Sequence, residues 1–169
     1  MTELYTGMAR LAIGVLTLLG GAFWLVMALT MPDVRDVTIS VAAVGAGLIV
    51  LFWDRLRLPA RIVVPVAAAG GLAGTGTGLA VDRISEGGMF AWLEYRGWPF
   101  EWLVRGGVAD TPDEARRLAI EDGWAADWFR LLVDVVLWTY ASLVLIVVLI
   151  VGVRALRGYF APKVTDQPG

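Results

Sequence analysis

The 169-residue sequence has no cysteine and no histidine, and one lysine, Lys163, against thirteen arginines. Without cysteine there are no disulfides, thiolate nucleophiles or cysteine-bound iron–sulfur clusters. Without histidine there is no Ser-His-Asp triad, no histidine-ligated haem and no zinc site of the usual Cys/His kind. Carboxylates are the strong metal ligands that remain, which narrows any metal to Mg²⁺ or Ca²⁺. Their pattern sets up no metal site, and no cofactor is expected. Net positive charge is also lacking. The chain carries −2 overall, and a protein that displaces counterions from phosphate backbones needs a basic surface, so nucleic acid is not expected as a partner.

What the chain has in abundance is apolar sequence. Hydrophobic residues make up 58% and the mean hydropathy is +0.70, against roughly 45–50% apolar in an ordinary soluble domain. These residues come in blocks. Leu11 to Met31 is uncharged for 21 positions, flanked by Arg10 and Pro32. At about 1.5 Å per residue a helix of that length crosses the roughly 30 Å hydrocarbon core. A signal peptide ending near Val26-Met27-Ala28 is the alternative, but the run exceeds the roughly 7–15 residues of an h-region. Residues 37–53 form a second, shorter block, residues 62–81 a third and residues 131–153 a fourth. The expected fold is therefore all-α, a single membrane domain: an integral membrane four-helix bundle with spans near 11–31, 37–53, 62–81 and 131–153.

The third block places Gly70, Gly74 and Gly78 at i, i+4 and i+8, on one helix face where another helix can approach closely. Ala42 with Ala46, or Ala43 with Gly47, offers a similar face on the second block. This face reads as packing within one bundle, with a seam between copies as the alternative. The glycine-rich run lacks the lysine of a phosphate loop and does not match Gly-x-Gly-x-x-Gly, so nucleotide binding is not expected.

Arginine placement gives an orientation. Arg10, the group Arg55, Arg57 and Arg61, and the group Arg154, Arg157 and Lys163 fall on one side if the chain crosses four times. By the positive-inside rule that side is cytoplasmic, with both termini, and residues 82–130 lie outside. The location expected is the plasma membrane.

This 49-residue outer segment is the long polar stretch of the chain. It holds five of the eight tryptophans and ten of the sixteen acidic residues. Thr111-Pro-Asp-Glu114 is a capping box with proline at the first helical position, and Gly123 supplies a stop, which predicts a helix over 112–122. Asp113, Arg117 and Glu121 are spaced for helix ion pairs. Before it, Phe90, Trp92, Leu93, Tyr95, Trp98, Phe100 and Trp102 are interleaved with Glu94, Arg96, Glu101 and Arg105. Tryptophan and tyrosine favour the headgroup level, Pro99 blocks continuous helix and Gly97 permits a turn. This predicts two short interfacial pieces folded over the bundle, an aromatic cap that Trp124, Trp128 and Phe129 complete. Trp92, Tyr95, Arg96, Trp98, Phe100 and Trp102 are its candidate contacts with a partner or ligand, since aromatics and arginine dominate interface hot spots. Their alternative role is simple anchoring at the membrane surface.

The motif Arg96-Gly-Trp-Pro-Phe-x-Trp102 resembles loops in small uncharacterised multipass membrane proteins of halophilic archaea, and the arginine-rich, lysine-poor composition agrees. The resemblance covers seven residues. It implies membrane location and no particular activity.

Asp134 is the one ionisable residue inside an expected span. It is four residues past Arg130, about 6 Å deeper by helix rise, and is expected to have a pairing or capping role, with Arg130 or Arg83 as partner. The alternative is a proton or cation site. Catalysis would need Glu94, Glu101, Asp82 or Asp134 as acid–base groups, yet each has an arginine close by in sequence. The expected function is thus a non-catalytic accessory or scaffold subunit in the bilayer, contacting a membrane-protein partner or a second copy. The alternative is a small oligomeric transporter or channel using Asp134.

Overall fold

A computed structural model describes residues 2–30, 33–87 and 90–160, apart from the side chains of 2–6, 158 and 160. The elements run α1 (Thr2–Thr30), α2 (Val34–Leu51), α3 (Trp53–Leu56), α4 (Ala60–Gly78), β1 (Asp82–Gly87), β2 (Ala91–Arg96), β3 (Leu103–Val108), α5 (Pro112–Asp122), β4 (Ala125–Ala126) and α6 (Trp128–Phe160). The expected end of the first span at Met31, the turn residue Pro32 and the C-terminal tail with Lys163 lie outside the described residues.

Among the described residues, three helices are long and apolar enough to cross a membrane: residues Gly7–Thr30 of α1, all of α2, and Trp128–Arg157 of α6. Helix α4 has the length, 19 residues, but its glycines and threonines dilute its hydropathy. The long helices pack in the order α1, α2, α6, α4. Small residues set the contacts. On α1, Gly21 lies against Ala43 and Val44, while Gly47 lies against Leu18. On the other side of α2, Ala46 and Ile49 join Val63 and Ala67 of α4 and Leu143 and Val147 of α6 in the buried core.

One end of this assembly is tied by arginines. Arg10 makes a two-point ion pair with Asp54, with Nη1 to Oδ1 at 2.9 Å. Its hydrogen bond holds the Asp54 carboxyl below the usual carboxylate range. Arg154 donates to the carbonyls of Leu56 and Arg57 at 2.8 and 3.2 Å, covering the end of α3. The arginines grouped by the charge pattern on one side therefore meet at one end of the helices.

The other end corrects the all-α expectation. Residues 82–130 are a small α/β cap, a four-stranded antiparallel meander in the order β1-β2-β3-β4 with α5 inserted between β3 and β4. Register pairs Glu94 with Ile84 on one side and Arg105 on the other. The interleaved charges and aromatics are thus strand alternation, in which successive side chains point to opposite faces. They are not interfacial helix. Helix α5 forms where expected, with Thr111 Oγ1 accepting from the Glu114 N–H at 3.4 Å and Gly123 at φ 81° beyond its end.

Candidate functional site

The cap has two faces. On the α5 face, β2 and β3 present Trp92, Glu94, Arg96, Arg105 and Gly107. Helix α5 lies so close to Gly107 that a Cβ there would clash with the Ala115 carbonyl oxygen. Ala115, Ala119 and Trp92 make the cap's core. Trp92 therefore packs inside the cap as part of its core.

Beside this core lies a charged network. Glu94, 5% exposed, accepts from Arg105 at 2.5 and 2.8 Å through one oxygen and from Arg96 at 3.1 and 3.2 Å through the other. The two guanidiniums stack on Trp124, 4.5 and 5.1 Å from its ring centre, and Arg105 also lies over Trp92. Burial alone would raise the Glu94 carboxyl. The two arginines outweigh it and hold the group below the usual range. A carboxylate with both oxygens bonded to arginine is a structural anion and a poor general base.

The second group of expected site residues is in the β2–β3 connection, Gly97 to Trp102. This loop docks the cap onto the helices. Trp98 packs on Trp138 of α6 with ring centres 5.5 Å apart, and the Trp98 carbonyl accepts from Trp138 Nε1 at 3.0 Å. The Phe100 N–H donates to Asp134 Oδ1 at 3.1 Å. Gly97, at φ 120°, begins the turn, and its N–H donates to the Val81 carbonyl at 3.3 Å. The glycine face of α4 serves the same junction. A Cβ on Gly78 would meet the Trp98 backbone, one on Gly74 the Trp138 ring, and one on Gly70 the Ser142 side chain.

Asp134 is fully buried and is bonded to neither expected arginine. Arg130 pairs with Asp127 at 3.2 Å and donates to the Glu101 carbonyl at 3.1 Å. Arg83 pairs with Glu101 at 3.5 Å. Asp134 Oδ2 has no partner among the described residues. The side chains diverge: Arg130, in the first turn of α6, turns back to Asp127, which also accepts the Arg130 N–H as a cap, while Asp134 faces the loop.

Of the six expected contacts, Arg96 and Trp92 are thus engaged inside the cap, and Trp98 and Phe100 inside the junction. Trp102 is half-buried, and its Nε1 has no partner among the described residues. Tyr95 is half-buried on the face away from α5, in a cavity of about 360 Å³ shared with Arg35, Arg83 and Glu101. Trp124, Trp138 and Asp127 carry much of the arrangement yet were not singled out as site residues. Trp138 could have been found, since it lies one turn beyond Asp134 on the same helix face. No group of three or more acidic residues able to hold a metal ion occurs among the described residues. Comparison with known proteins gives no match to the chain, whether with family models, curated proteins or solved structures.

Proposed function

We propose that the chain is a four-span integral membrane protein with both termini cytoplasmic and the α/β cap outside, and that it acts without catalysis as an accessory or scaffold subunit whose cap meets a membrane-protein partner. The observation that carries this reading is the free end of the cap. The end of the β1–β2 pair opposite the docking loop bears Phe90 at φ 53°, a backbone conformation rare for an aromatic. Phe90 and the neighbouring Val108 are both exposed, and strand β1 beside them is exposed along its whole length. Strained, exposed apolar residues on a rigid mount are a feature of contact sites. The aromatics of the junction hold that mount in place, so the proposed contact moves from Trp98 and Phe100 to the tip.

Support for a fourth crossing by α4 comes from its surface. Ile62, Val64 and Leu72 are exposed there, as apolar side chains are on a lipid-facing helix. A transporter or channel using Asp134 is less favoured, because Asp134 does not line the cavity beside it, whose charged lining comes from other residues.

A photo-crosslinking residue at position 90 tests the partner reading in native membranes. The expected result is an adduct of one defined mass at 90, absent at Leu118 of α5. The reading falls if positions 90 and 118 behave alike.

A further inference from the structure

We propose that the chain carries a specific seat for a zwitterionic phospholipid in the cleft between α1 and α6 beneath the cap. It rests on the membrane reading above and adds a ligand to it. Helix α1 packs on α2, and α2 on α6. A hydrogen bond between Thr17 and Tyr140, 3.3 Å, ties α1 to α6 deeper in the assembly. Toward the cap a cavity of about 550 Å³ lies between Trp24 of α1 and Phe129 and Val133 of α6, with Phe100 of the docking loop as its roof. That volume is within the range of small-molecule sites. A second cavity of about 390 Å³ shares Trp24 and Asp36 with it and continues along Phe23 and Met27. Trp24 lies six residues before the end of α1, roughly 9 Å deeper along the helix. Together the two cavities cover the last two turns of α1, charged at the rim and apolar around Trp24.

The rim decides the headgroup. Arg35 and Arg130 face the larger cavity together with Asp36, Glu101 and Asp127. An anionic headgroup would bring its charge to a rim that is already net negative. A zwitterion satisfies both signs, its phosphate toward the arginines and its ammonium toward the carboxylates. Arg35 also offers a donor: its Nε has no hydrogen-bond partner among the described residues, the nearest Asp36 oxygen being 3.8 Å away.

The test is native mass spectrometry of the full chain after reconstitution in vesicles of equal parts phosphatidylethanolamine and phosphatidylglycerol. One phosphatidylethanolamine per chain is expected to survive detergent stripping. Val133→Trp, which fills the cleft, should lower its retention by roughly tenfold, and Leu145→Trp, on an exposed part of α6, should leave it unchanged. Arg35→Gln with Arg130→Gln should remove the headgroup preference even if Val133→Trp fails to fold. Equal retention of the two lipids by the wild type, or retention indifferent to both cleft variants, overturns the proposal. So does crosslinking of a second copy through position 133. Resistance of the wild type to alkaline washing of membranes, measured alongside, separates failure of the seat from failure of the membrane reading.

Discussion

Glu94 is the residue on which the cap's electrostatics turn. Removing one partner of a buried ion pair leaves an uncompensated charge, at a cost of about 3–5 kcal/mol. Arg96 is 42% exposed as a side chain, so water recovers part of that, and Glu94→Ala is expected to cost about 3 kcal/mol in cap unfolding followed by tryptophan fluorescence. The sign with pH follows from a carboxyl held below its ordinary value in the fold. Its contribution is fully present above the ordinary carboxylate range and is lost as pH falls through the lowered value. Acidification should therefore loosen the cap in the wild type, and Glu94→Gln should be less stable at neutral pH with a flatter acid limb. An acid limb unchanged in Glu94→Gln would assign acid sensitivity elsewhere. Asp134 makes a different contribution, as acceptor for one backbone N–H. Asp134→Asn keeps that acceptor, whereas Asp134→Ala leaves a buried donor unsatisfied, worth about 1–3 kcal/mol. Thermal melting in detergent should rank wild type and Asn together above Ala. Loss of the same stability in both variants would mean that charge, and not acceptance, is the contribution.

At the scale of elements, close approach is set by glycine. Gly107→Val should push α5 off the sheet and melt the cap while leaving the helices intact, and Gly74→Leu should part α4 from α6 at Trp138, each by overpacking of about 1–3 kcal/mol or more. Circular dichroism distinguishes them: the first should lose little helix, the second should shift the main helical transition. The same glycines explain what could be read from sequence. Apolar runs and the capping box at Thr111 are local signals, and α1, α2, α5 and α6 were legible from them. The sheet was not. Strand β1, Asp-Arg-Ile-Ser-Glu-Gly, has one large apolar residue and owes its extended form to β2 beside it. Strand β3 contains Gly106-Gly107, which reads as a turn but exists to admit Leu93 and α5. In β2 the alternation was visible, but the aromatics at the membrane boundary suggested anchoring, which competes with strand formation for the same residue types. The site was legible as a region, 82–130 with Asp134, and not as partners, because the Glu94–Arg105 and Asp134–Phe100 contacts join positions that only the fold brings together.

For the whole molecule, the question is whether the cap and the arginine-tied end lie on opposite sides of a bilayer. The structure puts them at opposite ends of the helices, and the three strongly apolar helices leave α4 to decide. Its ends are bracketed by Ala60, exposed at its first turn, and Ser85, exposed in β1. The sequence has no cysteine, so single cysteines at these two positions report without background. If α4 spans, a membrane-impermeant maleimide added to intact cells should label Ser85→Cys and reach Ala60→Cys only after permeabilisation. The charge pattern predicts which way round this falls, because Arg55, Arg57 and Arg61 flank Ala60 and arginine favours the cytoplasmic side. Labelling of both positions from one side would show α4 lying outside the hydrocarbon, and would leave its glycine face as a packing device for α6 without a crossing. The reverse pattern, Ala60→Cys labelled in intact cells, would keep the four spans and invert them, carrying the cap, its exposed tip at Phe90 and any partner into the cytoplasm.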